Sequence, residues 1–345
     1  MTSTRATLIQ VAERAGVSLA STSRALHGSG ASKAMVERVR AAAAELGYSA
    51  DAIGRSLRLK KTSQIAFAVA DIGNPVYVEI MRGIHEVLAP HGYRVVVMST
   101  EDTAASTAEL MRSLHGGFVD GMIVIPLRTD DELIEQIGRA PVPVVVIGRA
   151  MSDRGISSVS TDSAAGIGAA VQHVVSLGRR RIGFLNGPLD TTPGSSRQRG
   201  FDEAVSAKDF AAQTDVEVAA DFTVAAGIDA ARKLLDRPQR PDAIVAANDL
   251  LAIGAIRAAR ELGLGIPRDV AVTGMDDTEL GQVFLPRLTS VSLGSAERGR
   301  AAARLMLGLA DDAEAPAQQI SVGTELFVRE STRESTPDQT AEDAE

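Results

Sequence analysis

From Gln64 onward, short apolar runs bounded by turn residues alternate with stretches of helical periodicity, and this alternation constrains the fold more than any other feature. The runs fall at 65–70 (Ile-Ala-Phe-Ala-Val-Ala), 94–98, 121–125 (Gly-Met-Ile-Val-Ile), 142–147 (Val-Pro-Val-Val-Val-Ile), 181–185, 243–247 and 270–273. Apolar strands separated by helices imply an α/β fold of parallel sheets covered on both faces. The order repeats after about residue 165, which predicts two similar halves, each a doubly wound sheet. Such sheets bind ligands outside the carboxyl ends of their strands, and a cleft between two of them draws residues from both. At 345 residues, 45% hydrophobic and 23% charged, the chain has the composition of a soluble globular protein of two or three domains. The absence of cysteine excludes disulfides, thiolate metal sites and thiol nucleophiles, and fits a cytoplasmic setting. The N-terminus carries no apolar signal segment, and no run approaches the roughly 18 apolar residues that span a bilayer, so no membrane partner is expected.

Ahead of the α/β region, residues 7–26 read as two short helices joined at Gly16. Thr7 is a suitable N-cap, and Leu8, Val11, Ala12 and Ala15 recur at helical spacing, giving the first helix one buried face. Ser18 would cap the second helix, whose outward residues Leu19, Ala20, Ser23 and Arg24 would face a major groove in a helix-turn-helix. Taken alone, the same pattern also describes an ordinary helical hairpin. Charge favours the nucleic-acid reading: residues 1–61 hold ten Lys or Arg and four acidic residues, a net of +6, whereas the chain is −8, leaving −14 for residues 62–345. A basic head on an acidic body suits a head that neutralises phosphates. Ser32 looks like the cap of a third helix, with Met35, Val36, Val39, Ala42, Ala43 and Leu46 at helical spacing up to Gly47. Residues 51–62 are too short and too charged for a core of their own and read as a hinge.

Catalytic motifs are missing. There is no Walker A loop, no G-x-G-x-x-G after a strand, no G-x-S-x-G elbow and no H-E-x-x-H, and the histidines at 27, 85, 91, 115 and 173 are scattered. Asp276-Asp277, after the run at 270–273, is the closest carboxylate pair; without a base, nucleophile or metal cluster nearby it reads as a turn with a hydrogen-bonding ligand group. No enzyme activity, cofactor or metal is expected.

From Thr7 to about Thr332 the chain resembles the LacI-type transcriptional regulators. The matching runs are Val11-Ala-Glu-Arg-Ala-Gly-Val-Ser18, Ser23-Arg24, Val39 to Tyr48, Arg55-Ser-Leu57, Asp71-Ile-Gly-Asn-Pro75, Leu177-Gly-Arg-Arg-Arg-Ile182, Asn248-Asp249, Gly274-Met-Asp-Asp277, Pro286 with Leu288-Thr289, and Val328-Arg-Glu-Ser-Thr332. The resemblance implies a helix-turn-helix head (1–50), a hinge helix or linker (51–62) and a two-lobed core similar to periplasmic sugar-binding proteins (63–332). Within that core it implies an N-lobe of about 63–162 plus 293–320 and a C-lobe of about 163–292 plus 321–332. The acidic tail, 333–345, has no apolar periodicity or leucine heptad and is expected to be disordered.

The resemblance also assigns roles. Leu19, Ala20 and Arg24 lie where the family reads base edges, Arg24 with guanidinium geometry suited to guanine. Ser18, Ser21, Ser23, His27 and Ser32 are expected on phosphates. Leu57, flanked by Arg55, aligns with the leucine wedged into the minor groove at the centre of a palindrome, which requires a homodimer. Asn74, Tyr77, Arg149, Arg197, Phe222, Asn248 and Asp276 align with effector contacts, a set suited to a sugar or other polyol and also to a nucleoside. The head departs from the family pattern at His27 (usually Asn), at Thr22 (usually a buried Val) and in the hinge, Ser49-Ala-Asp-Ala-Ile-Gly-Arg55, where Gly54 costs about 1 kcal/mol relative to Ala in a helix. Gly148 stands where Asp is common, removing one hydroxyl acceptor.

The implied mechanism is a two-state switch in which effector closes the lobes and respaces the two hinge segments at half-sites roughly 34 Å apart. The default is a repressor of palindromic operator DNA released by a small-molecule effector; a corepressor-dependent regulator is the alternative. The expected location is cytoplasmic and nucleoid-associated. A transporter's solute-binding protein would have no use for residues 7–57, and a sugar-modifying enzyme would need a catalytic set that is missing.

Overall fold

The computed structural model describes residues 6–27, 31–48, 61–207 and 210–333. The chain divides into two compact units, 1–62 and 63–345. Residues 51–60 of the predicted hinge (51–62), with Arg55 and Leu57, and the tail beyond 333 lie outside the described residues, as does the side chain of His27.

The first unit packs three helices, α1 (Leu8–Ala15), α2 (Leu19–His27) and α3 (Lys33–Glu45). Thr7 and Gln10 form a reciprocal capping box at the start of α1, and Gly16 ends it at φ +66°, a left-handed conformation that turns the chain into α2. Ser18 Oγ accepts from Ser21 N at 3.2 Å, and Ser32 Oγ from Met35 N at 3.4 Å, so both act as helix caps. Val11, Ala15, Ala25, Val39, Ala42 and Ala43 make the core. Thr22, fully buried among them, donates its hydroxyl to Ser18 O at 3.1 Å, which satisfies the polar group that a buried valine would not bring.

The second unit contains two six-stranded sheets. In the first lobe β1 (Gln64–Val69), β2 (Arg94–Ser99), β3 (Gly121–Ile125), β4 (Val144–Gly148), β5 (Ser157–Thr161) and β11 (Gln319–Val322) lie in the order β11-β5-β4-β3-β1-β2, all parallel. One face of β1, Ile65, Phe67 and Val69, packs under α4 (Pro75–Leu88) and α12 (Ser295–Asp311). Its other face, Ala66 and Ala68, packs under α5 (Ala104–Ser113) and α6 (Asp131–Gly138). Helices α4 and α12 meet backbone to backbone. A Cβ on Gly83 would stand 2.1 Å from Ala296 O, and one on Gly299 would stand 2.1 Å from Ile80 O, so only glycine permits the contact.

The second lobe orders β6 (Arg181–Asn186), β7 (Gln213–Val218), β8 (Ala243–Ala246), β9 (Ala271–Met275), β10 (Thr289–Ser292) and β12 (Glu325–Phe327) as β12-β10-β9-β8-β6-β7. All its pairs are parallel except β10 with β12. Its helices are α7 (Ser163–Ser176), α8 (Thr192–Val205), α9 (Val224–Leu235), α10 (Asp249–Glu261) and α11 (Glu279–Val283). Its core centres on Phe184 stacked on Phe201 at 4.5 Å.

The chain crosses between lobes three times: after β5, after β10, and between β11 and β12. The last crossing falls at 323–324, because β11 pairs with β5 through Val322. Among the described residues no helix is long and apolar enough to cross a membrane.

Candidate ligand site and nucleic-acid interface

A cavity of about 570 Å³ lies between the two lobes, at the carboxyl ends of the strands, where doubly wound sheets bind ligands. All seven residues aligned with effector contacts line it: Asn74, Tyr77, Arg149, Arg197, Phe222, Asn248 and Asp276. They differ in what they have left to offer. Asn74 caps α4, its Oδ1 accepting from Val76 N at 3.1 Å, and Asn248 caps α10, its Oδ1 accepting from Leu251 N at 2.9 Å. Each side-chain carbonyl serves its own helix; the Asn248 amide also donates to Phe222 O at 3.4 Å, whereas the Asn74 amide is left to meet a ligand. Arg149 is exposed at the rim, with no partner among the described residues.

The buried part of the site is a charge cluster. Arg197 on α8 and Asp276, after β9, approach to 3.6 Å, both more than nine-tenths buried. The Arg197 guanidinium also lies 5.9 Å from the ring centre of Phe222. Gly187 makes room for that ring, since a Cβ there would come within 2.3 Å of it. Asp276 holds φ +113° and Asp277 φ +54°, left-handed values costly for side-chain-bearing residues, and the turn separates the two acids. Asp276 faces the cavity, whereas Asp277 pairs with Arg329 at 2.7 Å. Burial pushes the Asp276 carboxyl up, opposed by Arg197 and Arg298. Burial and the Asp276 charge push the Tyr77 hydroxyl to about 12, so it serves as a neutral hydrogen-bonding group.

Arg298 on α12 is the lining residue that sequence reasoning missed. It is 6% exposed, donates to Ser295 Oγ at 3.1 Å, and burial pulls it down to about 10, so it stays cationic at neutral pH. A signal was present, because Arg298 sits among Ser295, Gly299, Ala302 and Leu305 on the buried stripe of α12, where a charge is out of place unless something meets it.

Behind the cavity, Asp249 holds the Asp276 turn in shape. Its carboxylate accepts from Thr278 N at 2.7 Å, Thr278 Oγ1 at 2.8 Å and Ser290 Oγ at 2.5 Å. Burial, and after it the Asp276 charge, pushes its pKa up to about 7. An unfolded aspartate releases its proton near 4, so between about pH 4 and pH 7 the folded state binds more protons than the unfolded, and this group makes stability fall as pH rises. Above about pH 7 its contribution levels off. Asp249→Asn should flatten that slope, as measured by denaturant melts at several pH values from about 4.5 to 8; an unchanged slope would place the titration elsewhere.

In the first unit, Leu19 (48% exposed), Ala20 and Arg24 project from one side of α2 while Thr22 and Ala25 are buried on the other. Ser18 Oγ donates to Ser21 Oγ at 2.9 Å, and Arg24 Nη2 lies 3.5 Å from Ser21 Oγ, so the exposed side of α2 is a polar ledge with one cation.

The lacI family model of bacterial regulatory proteins matches residues 7–51, and a periplasmic binding protein-like domain matches residues 171–332. The chain is 33% identical over 335 residues to the HTH-type transcriptional regulator CelR of Thermobifida fusca, covering 95% of this chain and 98% of the relative. The chain belongs to the lacI family. The ribose operon repressor of Escherichia coli K12 is 33% identical over 304 residues, covering 88% and 92% of the two chains. A crystal structure of the Lac repressor dimer bound to operator and an anti-inducer superposes with a TM-score of 0.84 at 26% identity, over 95% of this chain and 99% of that one. A CelR–cellobiose complex superposes with a TM-score of 0.70 at 33% identity, over 95% and 100%. These relatives are DNA-binding transcriptional regulators, not enzymes.

Proposed function

We propose that this lacI-family protein is a cytoplasmic, nucleoid-associated repressor that binds a palindromic operator as a homodimer and is released when a sugar or related polyol closes its lobes. The head, 1–50, would place α2 in the major groove, with Arg24 pairing to a base edge and Leu19 and Ala20 against thymine methyls. Ser18, Ser21, Ser23, His27 and Ser32 would hold phosphates, and Leu57 with Arg55 would enter the minor groove beside its symmetry mate. Ser32, already capping through its acceptor lone pairs, would do this through its hydroxyl hydrogen, whereas Ser18 would first have to give up its hydrogen bond to Ser21 Oγ.

The effector half of the proposal rests on one observation: a guanidinium, a carboxylate and an aromatic ring, Arg197, Asp276 and Phe222, converge in the interlobe cavity. Forked donors and an acceptor suit vicinal hydroxyls, and a ring edge or face suits the apolar side of a pyranose. The cellobiose complex of CelR and the ribose operon repressors belong to the same family, which supports the reading. Lobe closure has a physical basis at the cleft rim. Arg128 of the first lobe is bidentate to Asp190 of the second, at 2.7 and 3.2 Å, and Thr192 N donates to Leu127 O at 2.9 Å. Arg128→Ala should lower effector affinity about three- to fivefold by weakening the closed state, as titration calorimetry would read; unchanged affinity would mean the rim pair does not report closure.

Selection from random duplex DNA with the full-length protein, at stated salt, tests the operator half. A palindrome with a central pyrimidine-purine step is expected. Release of that duplex by a sugar then tests the switch; tightening by the same sugar would make it a corepressor, and release by a nucleoside alone would overturn the polyol assignment.

A further inference from the structure

The geometry points to an anionic effector: a monoanionic sugar acid whose carboxylate is received by Arg298 together with Arg197. This inference rests on the proposed sugar-binding role of the interlobe cavity and specifies its ligand class.

The argument is one of charge balance in a desolvated place. Two guanidiniums line the cavity at 7% and 6% exposure, and each keeps a buried Nε with no hydrogen-bond partner. A guanidinium does not shed its charge under any ordinary condition, so burying one is costly unless an anion meets it. The buried lining offers a single carboxylate, Asp276. It stands 3.6 Å from Arg197, while Arg298 has no ion pair among the described residues.

Of the other acids nearby, Glu79 is half-buried outside the cavity lining, acts on Arg298 from there and accepts from Glu279 N at 3.3 Å. Asp71 and Asp221, both exposed, accept from Gly73 N and Phe222 N, and Asp249 lies behind the cavity with three hydrogen bonds of its own. Gly148, at the end of β4, brings no side chain at all, at φ +131° with open space where a Cβ would point. The buried lining therefore carries one uncompensated positive charge. A neutral sugar would leave it so, whereas a sugar carboxylate cancels it and offers two acceptor oxygens for the two orphaned Nε–H groups. One charge matches a carboxylate better than a phosphate dianion. The unpartnered Arg149 at the rim adds a field that draws anions toward the cleft.

The test is titration calorimetry on the full-length protein at fixed ionic strength, with glucose, ribose, glucuronate, gluconate, glucose 6-phosphate and adenosine as probes. At least one of the two acids should bind about tenfold or more tighter than glucose, the size expected for a charge-assisted hydrogen-bond pair. In Arg298→Gln and Arg298→Met that preference should fall below about threefold; a preference kept at about tenfold would overturn the role of Arg298. Glucose or ribose binding as tightly as the acids to the unaltered protein would overturn the anion assignment and leave the sugar reading standing. Tighter binding of glucose 6-phosphate than of either acid would overturn the monoanion. Binding of adenosine alone would overturn the sugar reading itself. The comparison within the unaltered protein decides the matter even where an Arg298 variant fails to fold.

Discussion

Replacing Arg197 with methionine should lower effector affinity about a hundredfold or more while leaving operator affinity in the absence of effector within about twofold. Arg197 joins three parts of the cavity, because its guanidinium stands 3.6 Å from Asp276 and 5.9 Å from the centre of Phe222, and its Nε faces no protein acceptor. Removing it deletes hydrogen bonds from a charged donor, each worth about 1.5–3 kcal/mol, and leaves Asp276 buried with only the more distant Arg298 to offset it. Methionine keeps much of the volume, so the α8 backbone has no reason to move. The readout is paired: calorimetry for the effector and fluorescence anisotropy for the operator. Effector affinity within threefold of the unaltered protein would show that the ligand sits elsewhere in the cleft.

Gly83→Val should be among the most destabilising single substitutions in the first lobe. The built Cβ would lie 2.1 Å from Ala296 O, and backbone cannot swing aside as a side chain can, so α4 and α12 must separate along their whole contact. Overpacking of this kind costs about 3 kcal/mol or more, which corresponds to a melting temperature lower by roughly 10 °C. Gly138→Ala is the matched control. That residue ends α6 with no atom within 4 Å of its Cβ position and no positive φ, so the melting temperature should stay within about 2 °C. A Gly83→Val protein melting with the unaltered one would mean the two helices pack less closely than described.

The apolar runs located β1, β2, β3, β4, β6, β8 and β9 because most of these strands are covered on both faces; every residue of β8, Ala-Ile-Val-Ala, is buried. Their ends shifted by a residue or two, as where β4 starts at Val144 rather than 142, after Pro143, which has no N–H to give the ladder. β5, β7, β10, β11 and β12 were not legible. β7, Gln-Thr-Asp-Val-Glu-Val, is an edge strand and mostly polar. β5 and β10 bury Ser158, Thr289 and Ser290, whose hydroxyls are satisfied by Met151 N, Arg329 O and Asp249; the last two partners are 40 and 41 residues away, too far for any local pattern to show. The site divides in the same way. Asn74, Tyr77, Arg149, Arg197, Phe222, Asn248 and Asp276 were named through family motifs and come together around one cavity. Arg298 belongs to no motif; the resemblance already returns 293–320 to the first lobe, but only the packing of α12 puts this side chain in the cavity lining.

That return also sets an order of assembly on the ribosome. Residues 163–292 supply the second lobe with all its strands except the edge strand β12, so that lobe can close soon after it emerges. The first lobe starts earlier yet finishes later, because the helix over Phe67 and Ile84 begins about 130 residues beyond β5 and β11 about 160 beyond it. At about 5–20 residues per second its apolar sheet face waits uncovered for some seven to thirty seconds. The half of the molecule translated first is thus the half most dependent on chaperone shelter, and a message truncated near codon 292 would release a second lobe lacking its edge strand, tethered to a first lobe lacking β11 and α12.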